Sequence, residues 1–213
     1  MINYKKSEGI LLVANNKTML IDIGDGHKGI LRESALEMSD YRTTEIEVLM
    51  LTHLHSAHTQ SLKDFLSEEM VRAVLLPYEE SEEFSEIKKV AKECGSEVLV
   101  YERGELLDFE GVSLQTHENT YIKRSVQPVF RLDITAYGES FTYVSAAYME
   151  SDGDKDFYDS DFLWFGNHGP LYKELYLPRI NGECRVFAYG AAFEYLDDSI
   201  KAENINNIYL KEN

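Results

Sequence analysis

The sequence predicts an α/β protein, with β-sheets whose helices pack on the outside. Three observations carry this expectation. The first half of the chain alternates strand, helix, strand, helix, strand, the pattern of a sheet with crossover helices. The second half is dominated by strands paired around glycines, with a helix-bearing stretch towards its end. After the first hairpin, four apolar residues, Val48 to Leu51, lead through Thr52 into His53, His55 and His58. Half of the chain's six histidines therefore collect at one strand end.

Taken in order, Gly9 to Val13 and Thr18 to Ile23 are short apolar runs on either side of the turn residues Asn15-Asn16-Lys17. Residues 9–23 thus read as a β-hairpin. The second run ends in Ile21-Asp22-Ile23-Gly24-Asp25-Gly26, where Asp22 and Asp25, taken alone, cap or turn the chain. Residues 28–39 read as a modest helix, and Glu45 to Leu51 as the strand that delivers the histidines. Ser61 to Met70 has helical spacing, with Leu62, Phe65 and Leu66 on one face. Ala73 to Leu76 is a short strand closed by Pro77. Glu82 to Cys94 is an amphipathic helix with Phe84, Ile87, Val90 and Ala91 inward and Gly95 ending it, and Glu97 to Tyr101 is the next strand.

In the second half, Leu106 to Phe109 and Val112 to Thr116 flank Gly111 as a hairpin. Val126 to Ala136 and Ser140 to Ser145 are strands joined around Tyr137-Gly138-Glu139. A helix-bearing stretch follows His168, and Cys184 to Gly190 is a last strand. With no short-period repeat, low-complexity tract or linker, residues 1–213 are expected to form one domain.

The chain is long enough to bury a substantial core. Its apolar fraction of 44% and charged fraction of 28% are those of an ordinary soluble globular protein. Acidic residues outnumber basic ones by 38 to 21, a formal charge of −17, which works against non-specific binding to nucleic acid or anionic membranes. No apolar run approaches ~18 residues, so no membrane span is expected. The N-terminus lacks the apolar core of a signal peptide. Cys94 and Cys184 lie far apart without a CxxC pattern and read as reduced, and a cytoplasmic location is expected.

The histidine cluster carries the chemistry. His53 and His55 are two apart, so both rings can point to one side of an extended turn, and His58 follows three residues later. Neutral imidazole is the commonest protein metal ligand, and zinc accepts it readily. The acidic run from Glu150 to Asp161 begins like a calcium loop at Asp152, but its sixth and twelfth positions, Phe157 and Leu163, are not the glycine and glutamate such a loop needs. It reads as a solvated loop. Tyrosine is abundant, with Tyr143, Tyr148, Tyr158, Tyr172, Tyr176, Tyr189 and Tyr195 in the second half, most of them as strand and core residues.

The order Ile21-Asp22-Ile23-Gly24, then Thr52-His53-Leu54-His55-Ser56-Ala57-His58, then Phe165-Gly166-Asn167-His168-Gly169 resembles the metallo-β-lactamase superfamily. More narrowly it resembles the soluble domain of ComEC-type DNA-uptake competence proteins. The resemblance runs from about residue 8 to about residue 192. It implies a four-layer αββα sandwich with a metal site at the edge of the sheets, and hydrolysis of a phosphodiester, ester or amide. It also implies His53, His55, His58 and His168 as metal ligands, with Asp22 and His168 as the residues assisting the chemistry, Asp22 by orienting a ligand from behind.

The departures from that pattern are as informative. The family has aspartate before the third histidine, where this chain has Ala57, and a Gly-Asp strand end where this chain has Ala146-Ala147. The competence-type His-His-Gly-Ser is Asn167-His168-Gly169-Pro170 here. Two dications ~3.5–4 Å apart repel each other and are ordinarily held by such carboxylates. With both missing, one zinc on neutral imidazoles is the expectation. His117, 59 residues after His58, falls where many relatives place a further ligand. It is either that ligand or an ordinary loop histidine.

The function expected is therefore a metal-dependent hydrolase of the phosphodiester or ester class, with a single zinc and a small-molecule substrate. The alternatives are a fold that has lost its chemistry and serves as a binding or interaction module, and a purely structural metal site.

Overall fold

Two apolar runs separated by asparagines open the structure as an antiparallel hairpin, β1 (Ile10–Ala14) and β2 (Lys17–Ile21), in the register Ala14 opposite Lys17. Asn15 takes the left-handed φ of 48° that turns the chain, a conformation asparagine tolerates. The structure is a computed structural model that describes residues 10–15, 17–23, 45–54, 59, 61–102, 104–119, 129–136, 138–144, 160–165 and 185–188. The chain divides into two compact units, Met1–Arg103 and Gly104–Asn213.

In the first unit, β2 pairs in parallel with β3 (Ile46–Met50), β3 with β4 (Val71–Pro77) and β4 with β5 (Glu97–Tyr101), giving the order β1-β2-β3-β4-β5. Parallel strands are covered on both faces, which is why β2, β3 and β4 are rich in Val, Leu, Ile and Met. Helices α1 (Leu62–Glu68) and α2 (Glu82–Glu93) follow β3 and β4. One core cluster joins Leu20, Leu49, Leu51, Val74 and Leu76 of the sheet to Leu62, Phe65, Leu66, Ile87 and Ala91 of the helices.

Local signals account for the ends of α2. The Ser81 hydroxyl accepts from the Phe84 N–H at 3.0 Å, an N-cap. At the other end Gly95 has φ 85°; its N–H donates to Lys92 O and that of Ser96 to Ala91 O, the pair of bonds of a Schellman motif.

The second unit is one sheet in the order β11-β10-β9-β8-β7-β6. Strands β6 (Leu106–Phe109) and β7 (Val112–Asn119) form a hairpin whose two-residue loop, Glu110-Gly111, has positive φ at both positions, as a type I′ turn requires. Strands β8 (Val129–Ala136) and β9 (Glu139–Val144) continue antiparallel, while β10 (Phe162–Phe165) and β11 (Arg185–Ala188) add in parallel. The two-residue period sorts this sheet into an apolar face, with Val112, Leu114, Leu132, Ile134, Phe141 and Tyr143 buried, and a polar face bearing Gln115, His117, Arg131, Asp133 and Thr142.

Most strands and both described helices lie within two residues of their expected limits. Strand β4 is longer than expected at its start, because Val71 pairs with Ile46 of β3 and Arg72 Nη1 donates to Glu47 Oε2 at 2.8 Å. Strand β10 was not among the expected elements: its four residues follow an acidic run, and its place depends on parallel partners far away in sequence. The expected helix 28–39, residues 126–128 and the helix-bearing stretch after His168 lie outside the described residues. No helix among the described residues is long and apolar enough to cross a membrane.

Candidate metal centre

The end of β3 is anchored from three sides. Leu51 donates its N–H to Leu75 O at 3.0 Å, and its own carbonyl accepts the buried Tyr101 hydroxyl at 3.0 Å. One position past β2, Asp22 donates its N–H to Met50 O at 2.8 Å. The chain therefore leaves both strands side by side, with Asp22 next to Thr52 across 30 residues of sequence.

Asp22 is fully buried and has a left-handed φ of 57°. This backbone region is uncommon outside glycine but several-fold enriched in Asp and Asn. Its carboxylate accepts twice from Thr52: from the backbone N–H to Oδ1 at 2.8 Å and from the hydroxyl to Oδ2 at 2.6 Å. The Thr52 hydroxyl oxygen lies 2.9 Å from His53 Nδ1. Thr52 is fully buried and His53 is 3% exposed. A buried carboxylate is stable only when its oxygens are satisfied, and Thr52 satisfies one lone pair on each.

Of the expected site residues, Asp22 and His53 are thus brought together through Thr52. His55, His58 and His168 lie outside the described residues, as do Ala57, Ala146 and Ala147. Among the described residues no group of three or more His, Cys, Asp or Glu stands close enough to hold a metal. Of the four histidines expected to bind metal, His53 is the one described, and it suits a metal. Its Nδ1 is engaged by a side chain behind it, so Nε2 is the nitrogen suited to coordination, and metal-bound histidines characteristically have their second nitrogen held in this way.

His117 is not a loop residue. It lies within β7, opposite Arg131 of β8, on the polar face. Its Nε2 is 2.8 Å from Asp133 Oδ2. Asp133 also accepts from Arg131 Nε at 2.9 Å, from Arg131 Nη2 at 2.7 Å and from the Thr142 hydroxyl at 2.8 Å. Burial pushes the Asp133 carboxyl up, but the bonds from His117, Arg131 and Thr142 outweigh it and hold its pKa below the ordinary carboxylate value.

Sequence reasoning passed over this cluster. Its signal was Arg131 and Asp133 two apart within a strand, which puts both on one face. Of the acidic run, Asp161 is described: its Oδ2 accepts the Ser140 N–H at 2.7 Å and the Ser140 hydroxyl at 2.9 Å, tying the start of β9 to that of β10. These bonds lower its pKa, the backbone bond most.

No family model matches the chain, and no curated protein matches it significantly. Among solved structures, it is similar to the metallo-β-lactamase fold protein YhfI from Bacillus subtilis, at 12% identity and a TM-score of 0.64 over 93% of this chain and 86% of that one. It is similar to a diphosphatase of the PhnP family at 16% identity and a TM-score of 0.53, over 84% of this chain and 71% of that one. It is also similar to the short form of human tRNase Z at 13% identity and a TM-score of 0.54, over 86% and 85% of the two chains. At such identities the likeness is one of fold. The mixed sheets with few helices and these likenesses agree: the chain has the metallo-β-lactamase fold, in the α/β sandwich class.

Proposed function

We propose that the chain is a metal-dependent hydrolase of the phosphodiester or ester class, with one zinc held by three histidines of the set His53, His55, His58 and His168 and its fourth position left to water. The observation that carries this reading is the buried arrangement of Asp22, Thr52 and His53 at the C-terminal end of β3. Burying a carboxylate, a hydroxyl and an imidazole together is costly unless they are mutually satisfied, and here they hold one ring in one orientation. The fold supports the reading in kind: a diphosphatase and a tRNase Z share it. Bound to imidazole nitrogens, zinc supplies Lewis acidity and lowers the pKa of water to ~7. Asp22 and Thr52 serve this site by fixing His53, and His168 adds a ligand or steadies charge that develops on the substrate.

The site is a reduced one in this proposal, because alanines stand at Ala57 and Ala147, where the superfamily pattern has metal-binding carboxylates. The net charge of −17 favours a small-molecule substrate over a nucleic acid. We further propose that residues 1–213 act as a single domain in the cytoplasm, similar in its motifs to the soluble domain of ComEC-type proteins. The same alanines favour a second reading, in which the fold has lost its chemistry and serves as a binding module.

Elemental analysis of untagged protein beside His53→Ala/His55→Ala separates the two. About one equivalent of zinc, lost in the variant, is expected. Protein that takes up no metal when zinc is offered leaves only the binding module. Ala57→Asp/Ala147→Asp is expected to raise the zinc content to about two equivalents. Unchanged stoichiometry would sink the correspondence drawn for these two positions.

A further inference from the structure

We propose that β5 is a self-association edge, along which two copies of the chain join their first sheets by antiparallel pairing of β5 with β5, centred on Leu99. The observations behind this are independent of the metal-site reading. Strand β5 ends the order β1-β2-β3-β4-β5, and among the described residues it pairs with β4 alone. Along a strand, successive residues turn their N–H and C=O to alternate sides. Tyr101 O accepts the Tyr78 N–H at 2.8 Å, so Tyr101, and with it Leu99, turns its main-chain groups to β4. Val98 and Val100 therefore turn theirs outward, where no main-chain bond from the described residues meets them. The side chains are those of a strand with a neighbour on each side. Val98-Leu99-Val100-Tyr101 is an unbroken apolar run, yet Leu99 is 39% and Val100 44% exposed. An exposed edge is ordinarily blunted by a charge, a proline or a bulge. Between Glu97 and Glu102 there is neither charge nor proline, and the register with β4 runs without a bulge from Ala73–Glu97 to Pro77–Tyr101.

The order of residues along this edge fits a second copy of itself. A two-fold axis normal to the sheet keeps every residue on its own face, so one residue must stand opposite its own counterpart. With Leu99 at the axis, Val98 of one copy stands opposite Val100 of the other, and each such pair exchanges the hydrogen bonds that point outward. On the other face Leu99 meets Leu99 in a non-hydrogen-bonded pair, where side chains come closest. Glu97 falls opposite Tyr101 and Glu102 opposite Ser96, so no like charges stand opposite one another. The neighbouring registers fit less well. With the axis on Val100, Leu99 faces Tyr101, which is 2% exposed and has no surface left to cover it, and Val98 faces Glu102. With the axis on Val98, Glu97 faces Leu99. A single strand pair is a small interface, in the class below about 1,200 Å² that serves reversible contacts. The charge of −17 on each copy opposes association, so salt, which screens it, favours the dimer.

The experiment is sedimentation equilibrium of the full chain over a range of protein and salt concentrations. The mass is expected to rise with protein concentration from that of one chain towards that of two, and to rise further with salt. Leu99→Lys and Leu99→Glu each set like charges against each other at the axis, and each should raise the concentration needed for dimers by about tenfold or more. An equal mixture of the two variants sets Lys against Glu and should recover the dimer. A natural chain that stays monomeric throughout overturns the proposal and leaves the edge to a strand of another protein. A dimer that persists unchanged in both variants overturns it too, as does a mixture of them that fails to pair. Should the charged variants not fold, Leu99→Cys takes their place. Its two copies would stand at the Cα separation of a non-hydrogen-bonded pair, about 4.5 Å, which a disulfide can span. Mild oxidation should then link Leu99→Cys into a dimer and leave Val100→Cys, with the same Cys94 and Cys184, unlinked. Equal linking of the two overturns the pairing.

Discussion

Each unit of the chain holds an aspartate, a threonine and a histidine linked by hydrogen bonds, and the two sets are wired differently. In the first unit the carboxylate of Asp22 reaches the histidine through Thr52, and the histidine is engaged at Nδ1. In the second, Asp133 meets His117 directly at Nε2 and also accepts from Nε and Nη2 of Arg131 and from the Thr142 hydroxyl. The first set is buried at a strand end, while His117 is partly exposed on the face of a sheet. The chemistry follows from these differences. An aspartate that acts through a hydroxyl orients an imidazole and leaves the lone pair on its outer nitrogen. One that binds the imidazole and a guanidinium together cross-links neighbouring strands.

The largest expected effect tests the first set. Asp22→Ala removes the acceptor of both the Thr52 N–H and its hydroxyl in a site without solvent access, at a cost of about 3 kcal/mol. Urea denaturation measures this, and a loss below about 1 kcal/mol would mean that the carboxylate is not the anchor described here. Zinc binding should fall in the same variant.

A smaller effect is expected at Asp133. Asp133→Ala strips Arg131, which is 7% exposed, of its carboxylate, and a partly exposed pair of this kind is worth about 2 kcal/mol. This contribution also depends on pH. The folded carboxyl has its pKa lowered, so its stabilisation is complete above the unfolded value of about 3.9 and is lost as the pH falls through the folded value. The stability gap between the natural chain and Asp133→Asn should therefore be widest near neutrality and narrow below about pH 4. A gap that stayed constant down to pH 2 would show that the charge of Asp133 contributes nothing.

The smallest effect sharpens the contrast. His117→Gln keeps a donor on the sheet face and should cost about 0.5–1 kcal/mol. Zinc content should be unchanged. Loss of zinc from this variant would move His117 from the cross-link into the metal site and undo the distinction between the two sets.

Much of the fold was legible in the residues. Hairpins were marked by Asn15 and Gly111, the end of α2 by Gly95, and the buried strands by unbroken apolar runs, because turn chemistry and burial act over a few neighbours. Strand β10 was not legible, since a four-residue strand gains its stability from partners about 20 residues away on either side. At the candidate site, Asp22 and His53 were both visible as strand-end residues, while Thr52 registered only as the residue before a histidine. The Asp133 cluster was missed because Arg131 and Asp133 look like an exposed charged pair until Thr142 and His117 arrive from the adjacent strands.

By itself, the sequence determined the order of elements, the apolar faces and the density of imidazoles after β3, all properties of contiguous residues. Only the tertiary structure decided that Asp22 stands beside Thr52, that Thr52 stands between Asp22 and His53, and that His117 pairs with Asp133. Each of these depends on the register between strands, which brings residues 16 to 30 positions apart to hydrogen-bonding distance. At that range a shift of one residue would turn every such side chain to the opposite face.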